Sequence, residues 1–170
     1  YDDGLIKGGW SSSLFDGEGV SRQRTPLIVE GLCEGYLYDS YWGGRAGKPS
    51  TGNATRGGFK GALGIGTSNF YIEKGKEDLK TLLSSVGDGL FITDVMGVHM
   101  IDAVSGDFSL GASGMRVEGG ELTTPVRGMA ISGNILELFS RVEAVGSDLR
   151  FVGSVGAPSL LVADVEASGS

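Results

Sequence analysis

The chain has 170 residues, enough for one domain with a core of its own; 40% are apolar and 21% charged, which excludes a disordered tail, and no run of eighteen apolar residues offers a membrane-spanning helix. With 14 Lys and Arg against 21 Asp and Glu, the net charge is −7, and without a basic block the footprint of a duplex-DNA binder is missing. Glycine supplies 31 residues and proline only 4, well above the usual ~7% for glycine, so many turns, bulges and short strands are expected rather than long helices.

Taken in chain order, Tyr1 to Ser13 is polar and reads as a loop following another domain, so that the chain reads as part of a longer protein. Asp16-Gly17-Glu18-Gly19 is a turn cluster. Pro26 to Tyr38 reads as a strand bent by Gly31 and Gly35, with Cys33 a small buried residue inside it. From Gly43 to Gly66 glycine is dense and large apolar residues are few, which predicts a loop that is poorly packed or held by another chain. Asn69 to Glu73 reads as a strand. Residues 76–87 read as a helix, because Leu79, Leu82, Leu83 and Val86 share one face and Gly87 can cap its end.

Leu90 to Ala103 reads as one or two strands around Gly97. Asp107 to Glu118 and Glu121 to Met129 flank Gly119-Gly120, a two-residue hairpin turn in which both glycines can take positive φ. A second helix is predicted over 132–145, capped by Ser132, with Ile135, Leu138, Phe139 and Val142 as its stripe. Leu149 to Val152 and Leu160 to Val165 close the chain as strands. The expected fold class is α+β and predominantly antiparallel: a bent or barrel-like sheet of roughly eight to ten strands with two short helices.

The chemistry-bearing motifs are few. One Cys and one His allow neither an internal disulfide nor a closed zinc site within the chain. His99, in an apolar segment, reads as packed rather than catalytic. Gly61 to Gly66 lacks the spacing of a phosphate loop, and no serine sits in a nucleophile elbow. Asn53-Ala54-Thr55 matches a glycosylation sequon, read as chance. Asp102 and Asp107 bracket a turn; they are candidates for acid–base work, but turn hydrogen bonding is the commoner use of such a pair.

Several short stretches occur together in one order: Phe15-Asp16-Gly17-Glu18-Gly19-Val20, Ser50-Thr51-Gly52-Asn53-Ala54, Ser105-Gly106-Asp107-Phe108-Ser109-Leu110-Gly111-Ala112-Ser113-Gly114, Ile131-Ser132-Gly133-Asn134-Ile135, and Ala157-Pro158-Ser159-Leu160. This series resembles the TldD/PmbA family, also called modulators of DNA gyrase, over nearly the whole chain. The resemblance implies a cytoplasmic metalloprotease system acting on peptides or unfolded chains and maturing peptide antibiotics. It further implies a heterodimer in which the TldD-like subunit carries HExxxH on a helix upstream of the region that corresponds to this chain, and a ligand cysteine near its C-terminus. This chain has neither: it holds one histidine, and no cysteine lies between Leu149 and Leu160.

The resemblance therefore points to the C-terminal domain, residues 1–170, of a PmbA-like (TldE-like) protein: the non-catalytic half, supplying dimer interface and substrate cleft. No residue is expected to be catalytic and no cofactor is expected in this chain, with zinc in the TldD-like partner. The motif residues expected to shape the cleft are Thr51, Gly52, Asn53, Asp107, Phe108, Ser109, Gly111, Gly114 and Asn134. The expected partners are a TldD-like subunit or a second copy and a peptide or unfolded protein, with no direct nucleic acid and no membrane. The alternatives are a regulatory protein-binding module, as the gyrase label suggests, or a homodimeric peptidase whose metal site lies upstream.

Overall fold

Short strands and turns dominate the first half of the chain, as the glycine content requires. In chain order the elements are β1 (Asp2–Asp3), β2 (Arg24–Thr25), β3 (Ile28–Val29), β4 (Leu32–Cys33), α1 (Ser40–Ala46), β5 (Ala54–Arg56), β6 (Leu63–Ile65) and β7 (Phe70–Tyr71). Then come α2 (Leu79–Val86), β8 (Gly89–Met96), a 3-10 turn at Val98–Met100, β9 (Asp107–Glu118), β10 (Glu121–Asn134), α3 (Ile135–Ser140) and β11 (Val142–Val145). The chain closes with β12 (Arg150–Val152), β13 (Val155–Ala157), β14 (Leu160–Val162) and β15 (Glu166–Ser168). These elements come from a computed structural model, which describes residues 1–58 and 60–169. They form two units: Tyr1–Glu73 with Leu149–Ala157, and Lys74–Asp148 with Pro158–Ser170.

The first unit is built on a five-stranded sheet of order β12-β13-β7-β1-β2, antiparallel except where β13 runs parallel to β7. The opening segment, expected as a loop, thus supplies a central strand, and Asp2 in it is 1% exposed. Pro26 to Tyr38 is not one bent strand. It folds back on itself at Glu30 (φ 50°) and Gly31 (φ 80°), pairing Ile28 with Cys33 and Val29 with Leu32. A two-residue turn with both φ positive suits a hairpin. Cys33 is exposed rather than buried, in a two-stranded hairpin that joins no larger sheet among the described residues.

The Gly43–Gly66 stretch is also more ordered than its composition predicts; Phe59 within it lies outside the described residues. It contains most of α1 and the antiparallel pair β5–β6. Asp39 caps α1, its carboxylate accepting from the Trp42 N–H at 2.7 Å, and Gly47 ends the helix in the left-handed region. Gly43 is buried in this helix because a Cβ there would stand 2.8 Å from the Lys48 carbonyl. Close backbone approach, not looseness, explains that glycine. Thr51, Gly52, Asn53 and Ala54 are all buried.

The second unit carries a four-stranded antiparallel sheet of order β15-β10-β9-β8. Gly119 (φ 57°) and Gly120 (φ 82°) form the expected hairpin turn, opposing Glu118 and Glu121. Register shifts in β10 and β8 mark β-bulges, which bend and twist strands this long. The sheet does not close into a barrel; β8 and β15 are its free edges. The strands number fifteen among the described residues, above the eight to ten expected, because many hold only two or three residues.

The helix expected over 76–87 is α2, started by Asp78, which accepts from the Thr81 N–H at 2.8 Å. The helix expected over 132–145 shrinks to α3. Ser132 lies inside β10, paired with Ser109 and Glu166, and Asn134 is the cap, accepting from the Leu136 N–H at 3.0 Å. Val142 to Val145 leave the helical stripe to pair with Leu160 to Val162, a tertiary contact that outweighs weak helix propensity in a Val-rich segment. His99 is exposed in the 3-10 turn, which Gly97 (φ 86°) starts, so the packed reading fails. Apolar packing in this unit centres on Leu82, Phe108, Leu110, Ala112, Val117 and Met129. Among the described residues no helix is long and apolar enough to cross a membrane.

Candidate functional site

In the first unit the motif residues meet around a buried carboxylate. Asp2 accepts from the Ser68 N–H (2.6 Å), the Ser68 hydroxyl (2.7 Å) and the Asn53 amide Nδ2 (2.6 Å). That Asn53 nitrogen also donates to the Gly66 carbonyl at 3.1 Å, while Asn53 Oδ1 accepts from the Thr51 hydroxyl at 2.7 Å. Thr51 Oγ1 in turn accepts from the Tyr38 N–H at 2.8 Å. No buried side-chain nitrogen or oxygen among the described residues lacks a partner. Burying polar oxygens costs stability unless they are hydrogen-bonded, and both oxygens of Asp2 have donors. Burial of Asn53, with both ends of its amide bonded, also closes the sequon at Asn53-Ala54-Thr55 to modification in the fold.

Gly52 sits at φ 73°, and a Cβ there would stand 2.9 Å from the Arg22 Cα, so glycine is required on both grounds. Asp16, from the turn cluster, reaches the same segment. One oxygen accepts from the Glu18 and Val20 N–H groups and the other from the Ala54 N–H, each at 2.9 Å. Burial acts to raise the Asp16 pKa, but those three donors and the charge of Arg22 outweigh it and hold the carboxyl below its usual range. Glu18 Oε2 accepts from the Ser40 N–H at 2.8 Å, at the start of α1. The two front motifs are thus stitched together by side chain to backbone bonds.

In the second unit Asp107 and Asn134 meet at the open end of the β9–β10 hairpin, beside Asp102 and Ser105, while Gly111 and Gly114 lie further along β9. Asp102 Oδ1 accepts from the Val104 (2.7 Å) and Ser105 (2.9 Å) N–H groups. Asn134 Nδ2 donates to Asp107 Oδ1 at 2.9 Å and to the Ser105 carbonyl at 2.8 Å. The Asn134 amide, with the help of the Ser105 hydroxyl, lowers the Asp107 pKa, and the Ser105 and Val104 N–H groups lower that of Asp102. Both carboxylates are engaged by hydrogen bonds of the turn, which favours the turn reading of this pair over the acid–base one.

Phe108 is buried in the core, while Ser109 is exposed and opposes Ser132. Gly111 faces Met96 and Ala130 across the sheet, and Gly114 faces Ile92 and Val126. The sequence reading missed Asp2, Ser68 and Asn69, whose polarity argued for the surface; no spacing signal marks them.

Cys33 and His99 fall in different units and both are exposed. Among the described residues no group of three His, Cys, Asp or Glu could hold a metal ion.

Comparison with known proteins follows the same outline. Residues 1–169 match the family model for the PmbA/TldA metallopeptidase C-terminal domain. The chain is 34% identical, over 96% of its length, to a metalloprotease PmbA homolog of Buchnera aphidicola subsp. Baizongia pistaciae. It spans about a third of the length of the curated relatives it matches, 34% in that case. Among solved structures, a Thermotoga maritima protein described as a modulator of a DNA gyrase superposes with a TM-score of 0.88 at 32% identity, over 98% of this chain and 38% of that one. TldE from Thermococcus kodakarensis gives 0.86 at 27% identity, over 99% and 39%. Matched along nearly every residue in sequence and in fold, the chain belongs to the PmbA/TldD family, as its C-terminal domain.

Proposed function

We propose that this domain belongs to the non-catalytic, PmbA-like half of a cytoplasmic metalloprotease that cuts or matures peptides and unfolded chains. Its part is to supply dimer interface and one wall of the substrate cleft. The observations that carry this reading are the family match over residues 1–169 and 34% identity, over 96% of the chain, to a metalloprotease PmbA homolog. Likeness to TldE at a TM-score of 0.86 supports the same assignment.

Surface chemistry supports an interface role. In the first unit Trp10 and Leu14 are 82% and 74% exposed, and Val152 is 85% exposed; in the second, Val104 is 98% exposed. Large apolar side chains left in water are the usual sign of a surface that meets another chain. In the second unit, β8 also offers a free edge eight residues long. An extended peptide can pair with such an edge through main-chain hydrogen bonds, which read any sequence. No proton transfer or bond cleavage is assigned to residues of this chain.

The test is reconstitution. The full-length protein, incubated by itself with an unfolded substrate, should leave it intact; mixed with a TldD-like partner it should co-elute and cleave in a chelator-sensitive way. Peptidase activity from the full-length protein by itself would overturn the assignment. Co-elution with gyrase, and no activity with the TldD-like partner, would favour the regulatory reading instead.

A further inference from the structure

The second unit has an open groove of about 640 Å³, separate from the motif cluster at the end of the hairpin. Its walls come from α2, β8 and β14, with Leu83, Val86, Phe91 and Leu161 among the side chains facing it. All four are only half-buried, so the groove is a surface feature with unspent apolar area. Its size falls within the range of binding clefts, which are mostly apolar with a few polar groups that orient the ligand. Here the charged residues in the lining are Asp88, Glu143 and Asp164, and all three are acidic. Arg141 donates to the Asp164 carbonyl at 2.7 Å and is matched by Glu137 at 3.5 Å, so its charge is already paired.

The geometry points to a binding site for an apolar polypeptide segment flanked by basic residues. The apolar side chains fill the groove and the basic ones meet the acidic rim. Charge complementarity selects this occupant over a neutral apolar ligand or a second copy, since a second copy brings the same net charge of −7. The site lies wholly within one unit and its test reads binding, so it stands apart from the proteolytic proposal.

The test uses the full-length protein and a fluorescein-labelled peptide of four leucines with two lysines at each end. Saturable anisotropy binding is expected. A control with serines for the leucines should bind about ten-fold more weakly. One with glutamates for the lysines should bind about five-fold more weakly at low salt. Leu83→Glu should abolish binding. The double change Glu143→Gln with Asp164→Asn should weaken it about five-fold and flatten its salt dependence, while leaving the fold intact because Asn suits the positive φ at that position. This second variant keeps the test decisive if Leu83→Glu unfolds. Failure of the lysine peptide to saturate, or equal binding of the glutamate control, would overturn the proposal. So would a self-associated dimer that Leu83→Glu disperses without any uptake of the peptide.

Discussion

Gly111 and Gly114 lie on the same strand, three residues apart, and should respond oppositely to a methyl group. A Cβ at Gly114 would collide with the Phe91 carbonyl oxygen and stand 2.9 Å from the Ile92 Cα. Both contacts are backbone, on the neighbouring strand beside its bulge between Ile92 and Asp94, and backbone cannot swing aside as a side-chain tip can. At Gly111 the nearest atom would be Met96 Cε at 3.5 Å, an ordinary contact with a flexible thioether. Gly114→Ala therefore forces β8 away from β9. Overpacking costs about 1–3 kcal/mol, and loosening a ladder hydrogen bond adds about 1 kcal/mol, so roughly 3 kcal/mol is expected. For a chain of this size that lowers Tm by about 6–12 °C. Gly111→Ala should change stability by less than about 0.5 kcal/mol, or raise it slightly by restricting the unfolded chain. Thermal unfolding followed by circular dichroism, with urea titrations for the free energies, measures both. Equal midpoints for the two variants, or a larger loss at Gly111, would refute the steric argument.

Three other outcomes are expected. Asn53→Leu removes a donor from the buried Asp2 carboxylate and should cost about 3 kcal/mol in urea unfolding, whereas the exposed Ser109→Ala should cost under about 0.5 kcal/mol. Because the folded-state pKa of Asp16 is depressed, its stabilisation is complete above the unfolded value and is lost as the pH falls through the folded one; the gap in stability between wild type and Asp16→Asn should therefore narrow between about pH 5 and about pH 3. Urea midpoints across that range check it, and a constant gap counts against the hydrogen-bond account. Hydrogen exchange should find the Ala54 and Gly66 amides protected, since they donate to Asp16 Oδ2 and the Asn53 carbonyl, and the Gly57 amide in the adjoining turn fast; uniformly fast exchange from Gly43 to Gly66 would restore the loosely packed reading.

Local signals in the sequence were enough for the long elements of the second unit. The apolar spacing of Leu79, Leu82, Leu83 and Val86 placed α2. The Gly119-Gly120 pair placed the turn of the β9–β10 hairpin, because positive φ at both positions is a property of two adjacent residues and needs no distant partner. The motif series, read as a resemblance, placed the family. Contacts between distant segments decided the rest. Val142 to Val145 can be helix or strand by composition, and pairing with Leu160 to Val162 chose the strand. The glycines from Gly43 to Gly66 read as looseness, yet Gly43 and Gly52 are there because other backbone passes too close for a side chain. Asp2, Thr51, Asn53 and Ser68 are polar and would be put on the surface by any residue scale. They are buried because three segments far apart in sequence bring donors and acceptors to one place, and only the folded chain supplies that neighbourhood.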